Sequence, residues 1–339
     1  MDDTNRTIVL AKRPDGVPEK DTFEIEESDV PSPEAGEVLV RTLYLSVDPY
    51  MRGRMRDAES YAEPWAVGEP MEAGVVGEVL ESNHDRWDAG DVVLGDLHWA
   101  DYTAASGHSL TPVDTDLASP SAYLGVLGMP GRTAYFGLLD AGDPSPGETV
   151  VVSGAAGAVG STVVQIAKRA GCRVVGFAGS EGKIEYLEGE LGADVGIDYT
   201  ETDDYREALD DAAPDGVDVY FDNVGGPITD AAFSRLNVDG RVVVCGQISQ
   251  YNDETVASGP RKLGGLIATR GTVQGILIWD YAPRFEQATE QLAEWVANGE
   301  LTYRETVTEG LENAPDAFLG LFEGENVGKQ VVKVADFEG

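Results

Sequence analysis

Apolar positions along the chain follow two regimes. Up to about residue 123, short apolar runs alternate with polar residues and are cut by Pro31-Ser32-Pro33, Asp48-Pro49 and Ala89-Gly90-Asp91. That pattern predicts strands at 7–11, 37–46, 74–81 and 91–95, a β-rich domain. From residue 149 the period changes. Buried-type strands at 149–152, 173–177, 195–197, 217–222, 241–245 and 272–278 alternate with helical patterns. The helices are expected around 159–170, 184–191, 204–212, 228–236 and 283–298. Alternation of this kind implies an α/β fold with a doubly wound parallel sheet of six strands. A helical stretch within 124–147 ends in a Pro/Gly-rich link, and strands at 301–307 and 330–334 flank a short helix near the end. The expected organisation is one domain from 1–123 with 301–339, and a second from 124–300.

Candidate chemistry starts in the first βαβ unit. Gly154, Gly157 and Gly160 are spaced GxxGxxG between a strand and a helix whose Val159, Val163, Ile166 and Ala170 share one face. Glycines let backbone N–H groups approach a dinucleotide pyrophosphate, and the helix N-terminus adds partial positive charge. The spacing departs from GxGxxG in its first half, so the strand–turn–helix–strand context carries the argument. At the next strand end, where NAD sites place an acid, the sequence runs Ala178-Gly179-Ser180-Glu181-Gly182-Lys183. Ser180 can cap the following helix and donate to a phosphate, and Lys183 offers a cation to a 2′-phosphate. Glu181 falls past the strand, in the first helical turn. These residues favour NADP over NAD. The rule that ligands lie beyond strand carboxyl ends picks out 153–157, 178–180, 223–226 and 246–251. Asn223 suits either a ribose or nicotinamide contact or a helix-opening turn.

Composition changes the picture in two ways. Against 24 Lys and Arg stand 61 Asp and Glu, a net charge of −37. Self-repulsion of that size predicts a halophile protein that needs molar salt, and it argues against nucleic acid as a partner. No apolar run approaches a membrane span and the N-terminus lacks a signal-peptide pattern, so a cytoplasmic protein without a membrane partner is expected. Cys172 and Cys245, in or beside apolar strands, are expected as buried thiols. His84, His98 and His108 show no metal-ligand spacing and no Cys precedes Cys172, so no metal site is expected.

Taken together, VDPYMRGRM (47–55), LGVLGMPGRTAYFGLL, AAGAVGS, FDNVGG, CGQISQYN and GENVGK resemble one family, in its order, from about 37 to 334. The chain is similar to the zinc-independent NADP-dependent double-bond reductases of the medium-chain dehydrogenase/reductase superfamily. The prostaglandin reductase / leukotriene hydroxydehydrogenase group and the bacterial curcumin reductases are the relatives in view. The resemblance implies a GroES-like domain built from both chain ends, a Rossmann domain between, an active site in their cleft and a homodimer. By position it implies pyrophosphate contacts at Ala156, Gly157, Ala158 and Val159, and 2′-phosphate contacts at Lys183 and Ser180. Tyr199 matches an adenosine-end contact, followed by Thr200 where relatives can carry Lys. Asn223, Cys245, Gly246, Gln247, Ile248 and Tyr251 border the ribose and nicotinamide, as do Gln274, Gly275 and Ile276, and Asn326 returns to the cofactor. The implied reaction delivers hydride from the nicotinamide to the β-carbon of an α,β-unsaturated ketone or aldehyde. Hydroxyls must then meet the enolate oxygen, and Tyr251 and Tyr50 are the candidates, with the cofactor's ribose hydroxyl as a third and Tyr61 a weaker cleft-lining one. A quinone reductase of the same superfamily, or a non-catalytic NADPH-binding protein, are the alternatives.

Overall fold

Strand formation in the first third of the chain follows its apolar alternation. A computed structural model describes residues 4–255 and 257–337. It contains β1 (Thr4–Leu10), β2 (Phe23–Asp29), β3 (Glu37–Ser46), the one-turn helix α1 (Met51–Arg54), β4 (Glu72–Ser82), β5 (Val92–His98), β6 (Tyr102–Ser106) and β7 (Thr111–Pro112). β4 and β5 outrun their expected bounds, and β2, β6 and the two-residue β7 were not anticipated. The reason is visible in β2: after Phe23 every residue is exposed, so no apolar rhythm marks it, and it is held by antiparallel pairing to β1.

The second regime yields α2 (Met129–Phe136), β8 (Thr149–Val152), α3 (Gly160–Arg169), β9 (Arg173–Ala178), α4 (Glu181–Gly189) and β10 (Val195–Asp198). It continues with α5 (Tyr205–Ala212), β11 (Val217–Asp222), α6 (Gly226–Arg235), β12 (Leu236–Val244), α7 (Gly265–Thr269), β13 (Thr272–Gly275) and α8 (Phe285–Ala297). Last come β14 (Glu305–Glu309), α9 (Ala314–Glu323) and β15 (Lys329–Lys333). The sheet from β8 to β13 has six parallel strands in the order β10-β9-β8-β11-β12-β13. Strand order reverses between β8 and β11, which marks the switch point where such sheets take ligands. Residues 301–304 do not extend β14. Thr302 instead exchanges hydrogen bonds with Gln165 of α3, N to Oε1 at 2.8 Å and Nε2 to O at 2.9 Å.

Two compact units result. One comprises residues up to Leu124, Glu305–Asn326 and the stretch from Gln330; the other comprises Gly125–Arg304 and Val327–Lys329. In the first, a sheet ordered β14-β15-β3-β4-β5-β7, with β6 paired to β3, packs around Trp99, which is fully buried. Its indole stacks on Phe23 and meets the Phe318 ring edge-on. In the second, Val151, Val175, Phe177, Val217 and Tyr220 form the core beneath α5 and α6. Both faces of its central strands are covered, which explains their continuous apolar runs.

Candidate active site

At the tip of β8 the chain makes a turn that side chains would obstruct. Gly154 has φ +59°, and a Cβ on Gly160 would lie 2.3 Å from the Gly154 carbonyl oxygen. Glycine at 160 therefore lets α3 start tight against the turn, and among the described residues no side chain caps that helix. Ala156 is buried, whereas Gly157, Ala158 and Val159 are half-buried at the helix entrance. Such an entrance can receive an anion. Sequence reasoning did not find what braces it from behind. The Gly328 N–H donates to the Ala156 carbonyl at 2.8 Å, and Gly157 and Gly328 form a parallel bridge. Gly328 follows Asn326, which is half-buried and belongs to the first unit.

Beyond β9, Ser180 caps α4 by accepting from the Lys183 N–H at 3.4 Å. Lys183 is half-buried, and that burial lowers its pKa. A desolvated ammonium gains when a phosphate dianion meets it. Tyr199 comes to the same place: a Cβ on Gly179 would lie 2.4 Å from its hydroxyl oxygen, so the phenol rests on bare backbone. Burial and then the neighbouring Asp198 raise its pKa. Thr200 is turned to its own loop, its Oγ1 donating to Asp198 at 2.6 Å.

The tips of β11 and β12 are joined to that of β8. Asn223 donates its Nδ2–H to the Ser153 carbonyl at 2.7 Å and its N–H to Ser153 Oγ at 2.9 Å. Gly225 and Gly226, with φ of +76° and +65°, turn the chain into α6. The carboxylate of Asp222, fully buried, holds this turn by accepting from the N–H groups of Val224 and Gly225 at 3.1 and 2.8 Å. Cys245, Gly246, Gln247, Ile248 and Tyr251 follow β12, all half-buried. Burial pushes the Cys245 thiol up to about 12, Asp222 adding to it, so it stays protonated at neutral pH. The Tyr251 oxygen accepts the Gln247 N–H at 3.2 Å, and burial raises its pKa. Gln274 and Gly275 lie exposed on the edge strand β13, and the Ile276 N–H donates to Val244 at 3.0 Å.

Tyr50 belongs to the other unit, immediately before α1, where it is half-buried against the core. Burial, then the carboxylates of Asp48 and Asp96, push its pKa far up, so the phenol holds its proton throughout the physiological range. Arg54 stands by these groups, donating to Glu72 at 2.7 Å and lying 4.6 Å over the Trp65 ring. Asp96 was not foreseen; it faces Gly74 across the β4–β5 pair, and its pKa is raised by burial and by Glu72. Tyr61 is 63% exposed.

Comparison with known proteins gives the family. Residues 6–113 match the family described as N-terminal domain of oxidoreductase, and 158–297 match the zinc-binding dehydrogenase family. The NADPH-dependent curcumin reductase of Escherichia coli (strain K12) is 48% identical over 98% of this chain and 97% of its own. The chain belongs to the medium-chain dehydrogenase/reductase superfamily. Within that superfamily, the NADP(+)-dependent 2-alkenal reductase of Nicotiana tabacum is 42% identical over 98% of both chains. The structure of CurA from Vibrio vulnificus in complex with NADPH superposes with a TM-score of 0.94 at 46% identity, covering 98% of this chain and all of that one. Among the described residues of this member of the superfamily, no group of three or more His, Cys, Asp or Glu could hold a metal ion.

Proposed function

We propose that the chain is an NADPH-dependent reductase of the carbon–carbon double bond of α,β-unsaturated ketones and aldehydes. Its full-length likeness to the curcumin and 2-alkenal reductases carries this reading. The strand-tip geometry supports it: the turn after β8 leads into α3 with no side-chain cap at Val159, which leaves the helix's first N–H groups to an anion. On this reading Ala156, Gly157, Ala158 and Val159 take the pyrophosphate, and Ser180, Lys183 and Tyr199 take the adenosine end with its 2′-phosphate. Asn223, Cys245, Gly246, Gln247, Ile248, Tyr251, Gln274, Gly275 and Ile276 border the ribose and nicotinamide, with Asn326 approaching from the C-terminal segment. NADPH, when bound, supplies the hydride.

The chain's own contribution is to place, shield and protonate. Tyr251 holds a proton at its phenol oxygen and donates to the substrate carbonyl oxygen as negative charge develops there. The hydrogen bond it accepts from Gln247 polarises its O–H for that role. Tyr50 offers a second phenol, kept neutral by burial and then by its acidic neighbours. The superfamily match includes a zinc-binding description, but the sequence has no Cys before Cys172, so chemistry without zinc is part of the proposal. A homodimer is also proposed, since β13 is an exposed edge strand. No described helix is long and apolar enough to cross a membrane, and we place the enzyme in the cytoplasm.

The test is loss of nicotinamide absorbance in high salt with a linear enone, with menadione, and with NADPH or NADH. Fast oxidation of NADPH by the enone, with saturated ketone as product, is expected. Oxidation by menadione alone would move the chain to the quinone reductases, and NADPH binding without any turnover would make it a binding protein.

A further inference from the structure

Asp222 receives more hydrogen bonds than a turn needs. Among the described residues its carboxylate accepts from the N–H groups of Val224 and Gly225, from Ser153 Oγ at 3.2 Å, Tyr220 OH at 3.0 Å and Thr229 Oγ1 at 2.9 Å. Its backbone carbonyl accepts from the N–H groups of Cys245 and Gly246, at 2.8 and 3.0 Å. One fully buried residue thus ties the tips of β8, β11 and β12 together. A buried carboxylate is retained at such a place only when its lone pairs are met, and here they are.

The ties continue toward Tyr251. With the Val224 and Gly225 N–H groups locked onto Asp222, the Val224 carbonyl is aimed at the next loop. There it accepts twice from Ser249, from N–H at 3.1 Å and from Oγ at 2.6 Å. Ser249 lies in the short helical turn Ile248–Gln250, which leads directly into Tyr251. Tyr251 closes the loop by accepting the Gln247 N–H, and Gly246 permits this because a Cβ there would sit 3.0 Å from the phenol oxygen.

We propose that Asp222 is a positioning residue that sets the Tyr251 phenol through a strap formed by Val224 and Ser249. This deepens the reductase reading and rests on Tyr251 being the donor in it. Neither Asp222 nor Ser249 touches the substrate; they fix where the proton stands. An asparagine at 222 keeps one oxygen for the four donors that meet Oδ1 and turns its amide toward Thr229 Oγ1, but it removes the negative charge that makes the Val224 and Gly225 bonds strong. The strap loosens while the sheet remains. Ser249 is exposed, so its removal tests the strap without opening the core.

The experiment compares Asp222→Asn, Ser249→Ala and Tyr251→Phe, with Ser234→Ala as a control that removes a serine-to-carbonyl bond of α6 outside the strap. Amide hydrogen exchange of residues 246–251 gives a readout independent of catalysis. Ser249→Ala should speed that exchange and lower enone turnover about fivefold, the order of one hydrogen bond, with the melting temperature unchanged. Combined with Tyr251→Phe it should cost nothing further, because both changes remove the same placed proton. Wild-type exchange in both Ser249→Ala and Asp222→Asn, or losses that multiply in the double variant, would overturn the proposal. Faster exchange in a protein that reduces no enone would sink the proposed function and leave the strap standing.

Discussion

On the proposed reading, single side chains carry the chemistry through where their protons sit. Tyr251 and Tyr50 both have their phenols raised above the ordinary value of 10.0, chiefly by burial, with carboxylates adding at Tyr50. A raised phenol stays protonated as pH climbs, so turnover should hold level to above about pH 10 before any alkaline limb appears. A pH–rate profile that fell near pH 8 would contradict that assignment. Replacing Tyr251 with Phe should lower enone turnover at least about tenfold, since groups of this kind contribute 10²–10⁴, and steady-state rates with NADPH measure it. Lys183 is proposed to act at the other end of the cofactor. Its ammonium is partly desolvated, so a 2′-phosphate has more to gain from it than an exposed lysine would give. Lys183→Ala should raise the KM for NADPH about tenfold or more while leaving that for NADH nearly unchanged.

Elements are held by contacts that allow little slack. The start of α3 touches the turn after β8 so closely that a Cβ on Gly160 would also lie 2.8 Å from Ala155 Cα. Both obstacles are backbone. Gly160→Ala should therefore cost about 1–3 kcal/mol in stability and weaken NADPH binding, as melting curves and fluorescence titration would show. β12 is tied to the segment before β8 by Arg241, which makes two hydrogen bonds to Glu148, at 2.9 and 2.6 Å, and donates to the Gly142 and Asp143 carbonyls. The Arg241 hydrogen bond holds the Glu148 carboxyl below its usual 4.5. A carboxylate with a lowered folded pKa adds stability that is present above 4.5 and lost as pH falls through the lower folded value. The pair is about a quarter exposed, so solvent screening keeps its worth to about 1 kcal/mol. Glu148→Gln should flatten the acid limb of melting temperature against pH below about pH 5.

For the molecule as a whole, charge dominates. A net charge of −37 repels itself at low ionic strength, and the ion pairs that answer it are mostly at the surface, such as Lys12–Asp21 and Lys20–Asp316. Such pairs contribute little each, so relief must come from the medium. Raising KCl from about 0.1 M to molar levels shortens the screening length from roughly 10 Å to 3 Å and should raise the melting temperature by several degrees. A melt indifferent to salt would mean the acids are balanced in some other way.

The central strands of the second unit could be read closely, because a buried parallel strand writes its own signature: β8 and β11 fall on the predicted 149–152 and 217–222, whereas β12 starts at Leu236 rather than 241, β13 ends at Gly275 rather than 278, and α7 was not anticipated. Periodicity is local, and so is the steric logic of a glycine turn; residues a few positions apart suffice to reveal both. β2 escaped because an exposed strand needs no apolar alternation, and 301–304 was misassigned because Gln165 claims it for α3. What brings the candidate residues together within each unit is not local at all. Ser153 meets Asn223 across 70 residues of sequence, Gly328 braces Ala156, Tyr199 rests on Gly179, and Asp96 comes beside Tyr50. Hydrogen bonds between distant segments leave no trace in the spacing of either one. The sequence alone determined the strands, the glycine turns and the candidates for binding and protonation. Only the fold decided which of them stand together, because that depends on how strand tips register against one another in space.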